Sequence, residues 1–220
     1  MNTIALSSTK QRSESILKKI VNDATTHAQF LNTVSLLEHI GSRKILITQS
    51  NQNSSEFILS HAAEEARHAL FFKKKIRLVT NKPMLGYKSE DLFSGFSSRF
   101  YFQKLDAIVK RNLKNTDIQK EKLSYINYLY TTILIELRAK EVYEIYDRIL
   151  EEGNFNFRLT GIIAEEEGHL AEMQKSLTEE DIHFQTRLPQ LVEKEEKFFH
   201  KLLLAWEKWI ESSTIPLVIA

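Results

Sequence analysis

The sequence predicts an all-α fold: four main helices in two pairs, joined by a long crossover with a short helix of its own, and further helices at both ends. Three observations carry this reading. Only 6 Gly and 3 Pro occur in 220 residues, too few for the turns of an all-β chain. Apolar residues recur at spacings of three and four through long segments, the period of a half-buried helix. The segments are separated by short clusters of Ser, Asn, Gly and Pro that stop helices. The length suits one domain spanning 1–220, with a core at about 26–176 and a C-terminal helical extension at about 178–212.

Taken in order, residues 14–23 form a short amphipathic helix with Ile16, Leu17, Ile20 and Val21 on one side. The first main helix covers about 26–49, where Phe30, Val34, Leu37, Gly41 and Ile45 share a stripe with Glu38. A polar loop at 50–55 leads into a second helix at about 55–80. That helix stops before Pro83, because the position preceding a proline disfavours helix. Residues 81–96, with Pro83, Gly86 and Gly95, read as an irregular crossover, followed by helical spacing over 100–113.

The third main helix runs from about 117 to 151 on Leu123, Ile126, Leu129, Ile133 and Tyr143, and Gly153-Asn154 ends it. At about 1.5 Å per residue it spans roughly 50 Å. The fourth covers about 156–176. Thr178-Glu179-Glu180-Asp181 resembles a capping box opening another helix, and Pro189 divides that one from a last helix bearing Leu191, Phe198, Leu202, Trp206 and Trp209. This aromatic helix packs across the bundle or, alternatively, meets a second copy as a homodimer.

Composition excludes several classes of function. The chain has no cysteine, which removes disulfides, thiolate zinc sites, iron–sulfur clusters and a cysteine nucleophile. A metal must therefore be held by oxygen and nitrogen. The net charge of +1 gives no electrostatic reason to expect nucleic acid or a membrane surface. The basic run Phe71 to Arg77 reads as the solvated end of a helix, where cations suit the dipole. No run reaches the ~18 apolar residues of a membrane span. Residues 1–13 lack the apolar centre of a signal peptide, and the apolar tail 215–220 is too short to span, so the expected location is cytoplasmic.

The chemistry concentrates in two echoing stretches, Ala63-Glu64-Glu65-Ala66-Arg67-His68 and Ala164-Glu165-Glu166-Glu167-Gly168-His169. Residues three apart share a helix face, so Glu65 with His68, and Glu166 with His169, each present a carboxylate beside an imidazole. The bare Glu-x-x-His spacing is weak, and it occurs again from Glu180 to His183. What distinguishes the first two is an apolar setting and a preceding Glu on its own helix: Glu38 lies 27 positions before Glu65, and Glu136 lies 30 before Glu166. Those separations fit antiparallel helix pairs with each acid near mid-helix. Glu141 or Glu144 would take the place of Glu136 in a shifted register.

Neighbouring residues have two readings each. His61 is a satisfied core histidine or a supporting partner of the site, and Tyr143 is a core tyrosine, a hydrogen-bonding neighbour or an oxidisable group. Glu64 and Glu165 face solvent or pair with arginines. Gly41 and Gly168, costly inside helices, make room at the site or allow close helix packing.

Two repeats of a Glu helix followed by a Glu-x-x-His helix resemble the ferritin-like di-iron carboxylate proteins. The resemblance covers roughly 26–176 and matches six positions: Glu38, Glu65, His68, Glu136, Glu166 and His169. It implies a ferritin-like bundle holding two iron ions, or manganese with iron, or two manganese, with Glu65 and Glu166 bridging and Glu38 and Glu136 terminal. It further implies an oxygenase or hydroxylase that uses O2 on an organic substrate. Electrons would come from a separate reductase or from the substrate. The alternative within the resemblance is a ferroxidase, iron-storage or peroxide-scavenging protein of the ferritin or rubrerythrin kind.

Overall fold

The computed structural model describes residues 9–49, 55–114 and 116–214; the predicted tail at 215–220, most of the loop at 50–55 and residues 1–8 lie outside them. Among the described residues the chain is all-helical. Seven α-helices follow in order: α1 (Lys10–Val21), α2 (Ala24–Thr48), α3 (Glu56–Val79), α4 (Gly95–Leu113), α5 (Leu123–Glu152), α6 (Thr160–Glu180) and α7 (Phe184–Thr214), with one 3-10 turn at Ser89–Asp91. No helix among them is long and apolar enough to cross a membrane.

α2 and α3 lie antiparallel. Ser35 Oγ donates to the carbonyl of Ala69 and Ser42 Oγ to that of Ala62, both at 2.7 Å, so residue numbers fall on α3 as they rise on α2. Asp23 and Ser55 start these two helices by accepting from the backbone N–H groups of Thr26 and Ile58, as N-caps do. α5 and α6 form a second antiparallel pair. Lys140 meets Glu167 at 2.9 Å near mid-helix, and Asp147 meets Arg158 at the connection. The predicted stop at Gly153-Asn154 holds, with Asn154 in the left-handed region at φ 53°.

Several predicted boundaries move. α1 begins at Lys10 rather than 14. α4 begins at Gly95, one turn before the expected 100, and the Cβ of any other residue there would lie 2.7 Å from the Leu92 side chain. α5 begins at Leu123 rather than 117, since 117–122 offer only Ile118 for burial. Its 30 residues span about 45 Å.

Two expectations about the C-terminal region are overturned. Thr178 to Glu180 open no helix; they are the last turn of α6, which runs past the expected end at 176. Asp181 instead anchors the α6–α7 turn, accepting from Tyr130 Oη at 2.7 Å, Arg187 Nε at 2.7 Å and the His183 N–H at 2.9 Å. Pro189 does not divide two helices but sits inside the continuous α7. Pro189 and Gln185, whose carbonyl it leaves free, are both exposed, so water takes over the lost bond and the helix continues.

Leu191, Leu202 and Trp206 are buried and Phe198 and Trp209 pack against the core, so α7 lies across the other helices. α4 and α7 together cover the α2–α5 side, with Tyr101 and Arg138 both bonded to Glu195.

Candidate metal centre

The six predicted residues come together. α2 brings Glu38, α3 brings Glu65 and His68, α5 brings Glu136, and α6 brings Glu166 and His169; all six are 9% exposed or less. They fall into two groups whose ligand atoms lie within 4.8 Å of one another: Glu38, Glu65, His68 and Glu166 in one, and His61, Glu65, Glu136 and His169 in the other. Glu65 belongs to both. Glu166 belongs to the first and also sends Oε2 to 3.5 Å from His169 Nδ1 of the second. Glu65 thus lies in both groups and Glu166 reaches toward the second, while Glu38 belongs only to the first and Glu136 only to the second. Glu141 and Glu144 stand apart, paired with Arg138 and Lys140. The third motif is elsewhere, with Glu180 bonded to Lys122 and His183 exposed.

The inner atoms are close without being hydrogen-bonded. His61 Nε2 is 2.9 Å from Glu136 Oε1, His68 Nδ1 is 3.2 Å from Glu166 Oε1, and His169 Nδ1 is 3.7 Å from Glu136 Oε1. Yet His61 Nε2, His68 Nδ1, His169 Nδ1, both oxygens of Glu136 and Glu166 Oε2 are all buried with no hydrogen-bond partner. Buried polar atoms are rarely left so, because each costs about 1–3 kcal/mol. Lone pairs that converge at short range but do not align with one another are oriented toward shared points, as ligands of a cation are. Carboxylate oxygens and imidazole nitrogens suit divalent iron or manganese. The residues present therefore fit a dinuclear centre.

The outer faces of the histidines are held by acids. His68 Nε2–H donates to Glu165 at 2.7 Å, and His169 Nε2–H donates to Glu64. The two Glu-x-x-His helices thus clasp one another crosswise: the acid before each shared carboxylate fixes the histidine of the other helix. Such an arrangement sets the tautomer and leaves Nδ1 free to ligate. Glu165 also pairs with Arg67 at 3.0 Å, as expected, but its bond to His68 and the whole role of Glu64 are not legible from sequence. Residue spacing specifies one helix face and not the helix opposite.

His61, expected as a core histidine or a supporting partner, instead stands among the residues that could hold a metal. It is fully buried, its Nδ1 meets the Tyr128 hydroxyl at 2.6 Å, and its ring lies 4.2 Å from that of His169. The signal was its position one turn before Glu65. Tyr143, also left open, donates its hydroxyl proton to Glu38 Oε1. Gly41 answers a second question, since a Cβ there would lie 2.9 Å from Glu65 Oε2. It clears space for that shared carboxylate.

Titration follows from burial and crowding. Burial, reinforced by Glu65 and Glu166, holds Glu38 well above the usual carboxylate range, and burial raises Glu136 to about 8 against the pull of His61. For Glu166 burial is outweighed by His169 and His68, which draw it down to about 2. Against burial, Glu136 and Glu65 raise His61 to about 10, and Glu166 brings His169 to about 9. Protons balance the clustered acids, and incoming cations would displace them.

Two openings of different character reach the centre. A cavity of about 430 Å³ is lined by Glu38, Glu65, Glu136 and Glu166 and by apolar side chains such as Val34, Leu37, Ile135, Val142 and Trp206. Phe102 and Gln103 of the crossover helix α4 form part of its wall. On the opposite side a cleft between α3 and α6 is lined by His61 and His169 and by acidic residues. The chain matches no protein-family model, no curated protein and no solved structure.

Proposed function

We propose that this chain is a ferritin-like dinuclear metal oxygenase or hydroxylase that uses O2 to oxidise an apolar organic substrate. The observation that carries the reading is the cluster of buried, unpartnered carboxylate and imidazole atoms next to an apolar cavity of about 430 Å³, a volume within the range of small-molecule sites. Glu38, Glu65, His68 and Glu166 would hold one metal, and His61, Glu65, Glu136 and His169 the other. Bound there, two iron ions, or iron with manganese, or two manganese, would supply the redox couple through which electrons reach dioxygen.

The remaining work falls to the chain. The Tyr143 hydroxyl fixes Glu38 from the cavity side and keeps a proton beside it. Glu64 and Glu165 orient the two histidines. The apolar walls keep water from the reacting atoms and give a substrate a surface to bury. With no cysteine in the chain, electrons come from a separate reductase or from the substrate itself.

A second reading, an iron-handling ferroxidase or peroxide scavenger, is favoured by the acidic cleft on the histidine side. Size separates the two: a large cage on a sizing column supports storage, and a monomer or dimer the oxygenase.

The test is metal content by mass spectrometry on protein expressed with iron and manganese supplied. About two metals per chain are expected, with most of this lost in Glu166→Ala and His169→Ala variants that keep their helical circular dichroism. Folded wild-type protein that takes up no metal would sink the reading.

A further inference from the structure

We infer that the metals reach the centre through the acidic cleft between α3 and α6, on the face opposite the apolar cavity. This rests on the dinuclear reading above. The cleft, about 500 Å³, is lined by Glu56, Glu64, Glu165 and Glu172, and it ends on His61 and His169. His61 is fully buried, and its Nε2, like His169 Nδ1, makes no hydrogen bond, although Glu136 Oε1 lies 2.9 Å from the first and 3.7 Å from the second. A line of carboxylates therefore runs from the surface to two histidines of the centre.

The glycine in the cleft points the same way. Gly168 sits in mid-α6, exposed, and a Cβ there would meet nothing within 4 Å. Helix packing does not require glycine at this position, where it costs about 1 kcal/mol against alanine. Leaving the position bare keeps the cleft open beside His169.

The other opening opposes cations. Its walls are largely apolar, so a hydrated divalent ion would shed water there with little to replace it. Of its lining acids outside the centre, Asp106 is already paired with Lys44 at 2.7 Å, and Arg99 adds a positive charge. The acidic cleft instead focuses a negative field on the centre and raises the local cation concentration. Glu64 and Glu165 are already engaged with His169 and His68. Glu56 and Glu172, both exposed, are the outer acids to test, since neither belongs to the ligand groups.

The experiment measures Mn2+ uptake by metal-free full-length protein after rapid mixing, using the manganese resonance signal lost on binding. A Glu56→Gln/Glu172→Gln variant is expected to load about three- to tenfold more slowly, the low end of electrostatic steering, and to reach the wild-type stoichiometry. Its rate should also depend less on salt. Gly168→Phe, which fills the cleft, should slow loading further, whereas Thr132→Phe, which narrows the apolar cavity, should leave it unchanged. Wild-type rates in both cleft variants, or slowing by Thr132→Phe alone, would overturn the route while the dinuclear centre stood. Absence of Mn2+ uptake by the wild type would remove the centre and the route together.

Discussion

Gly41 and His27 show how much single residues decide here. In Gly41→Ala the new Cβ would lie 2.9 Å from Glu65 Oε2, and the flexible end of Glu65 is what gives way. The helix should keep or gain stability, by up to about 1 kcal/mol from propensity, while metal affinity falls roughly tenfold or more, as when a ligand loses its support. Denaturant titration beside metal-binding isotherms checks the split; a variant that binds metal like wild type would show that Gly41 serves packing alone. His27 is 1% exposed, its Nε2 meets the Tyr146 hydroxyl, and Phe155 and Phe157 lie against its ring. Burial lowers its pKa from 6.5 to about 4. Because the folded value lies below the unfolded one, the unfolded chain takes the proton first as pH falls. The stability is complete above about pH 6.5 and is lost toward pH 4, about 3 kcal/mol in all. Urea unfolding of wild type and His27→Gln from pH 7 to 4 should therefore give converging curves, and parallel curves would exclude this source.

At the scale of elements, α5 and α7 are joined through a buried ion network. Arg138, 3% exposed, donates Nε and Nη2 to the two oxygens of Glu195 at 2.9 and 2.7 Å, and also reaches Glu141 and Glu196. Its guanidinium lies 3.9 Å from the Phe199 ring centre, and Tyr101 of α4 donates to Glu195. Removing one partner strands the other, so Arg138→Met should cost about 3–5 kcal/mol. An Arg138→Met/Glu195→Leu variant should recover much of that loss; equal losses in single and double variants by chemical denaturation would argue against the pairing as the source. The start of α6 follows the same rule. Helical spacing suggests 156, but Asp147 of α5 accepts from Arg158 and from the Leu159 N–H at 2.6 Å, and α6 begins at Thr160. The basic run on α3 is likewise more than a solvated end. Lys73 lies 4.3 Å from the centre of the Tyr87 ring and bonds Asn32 and the Gly86 carbonyl, tying the crossover to α2 and α3.

On the scale of the whole molecule, the all-helical class and the gathering of Glu38, Glu65, His68, Glu136, Glu166 and His169 were legible in sequence. Helical periodicity is local, and two residues three apart on a helix share a face wherever that helix goes. Paired helices with acids near their midpoints leave few ways to arrange those acids except together. Tertiary structure decided what depends on the facing element. It brought His61 beside Glu65, Glu136 and His169, set Glu64 and Glu165 crosswise on His169 and His68, and carried α7 through Pro189. It also laid α4 over the α2–α5 side, so that an apolar cavity meets the carboxylates while an acidic cleft meets the imidazoles. Those features depend on distances between residues far apart in the chain, and spacing along one helix carries no information about what packs against it.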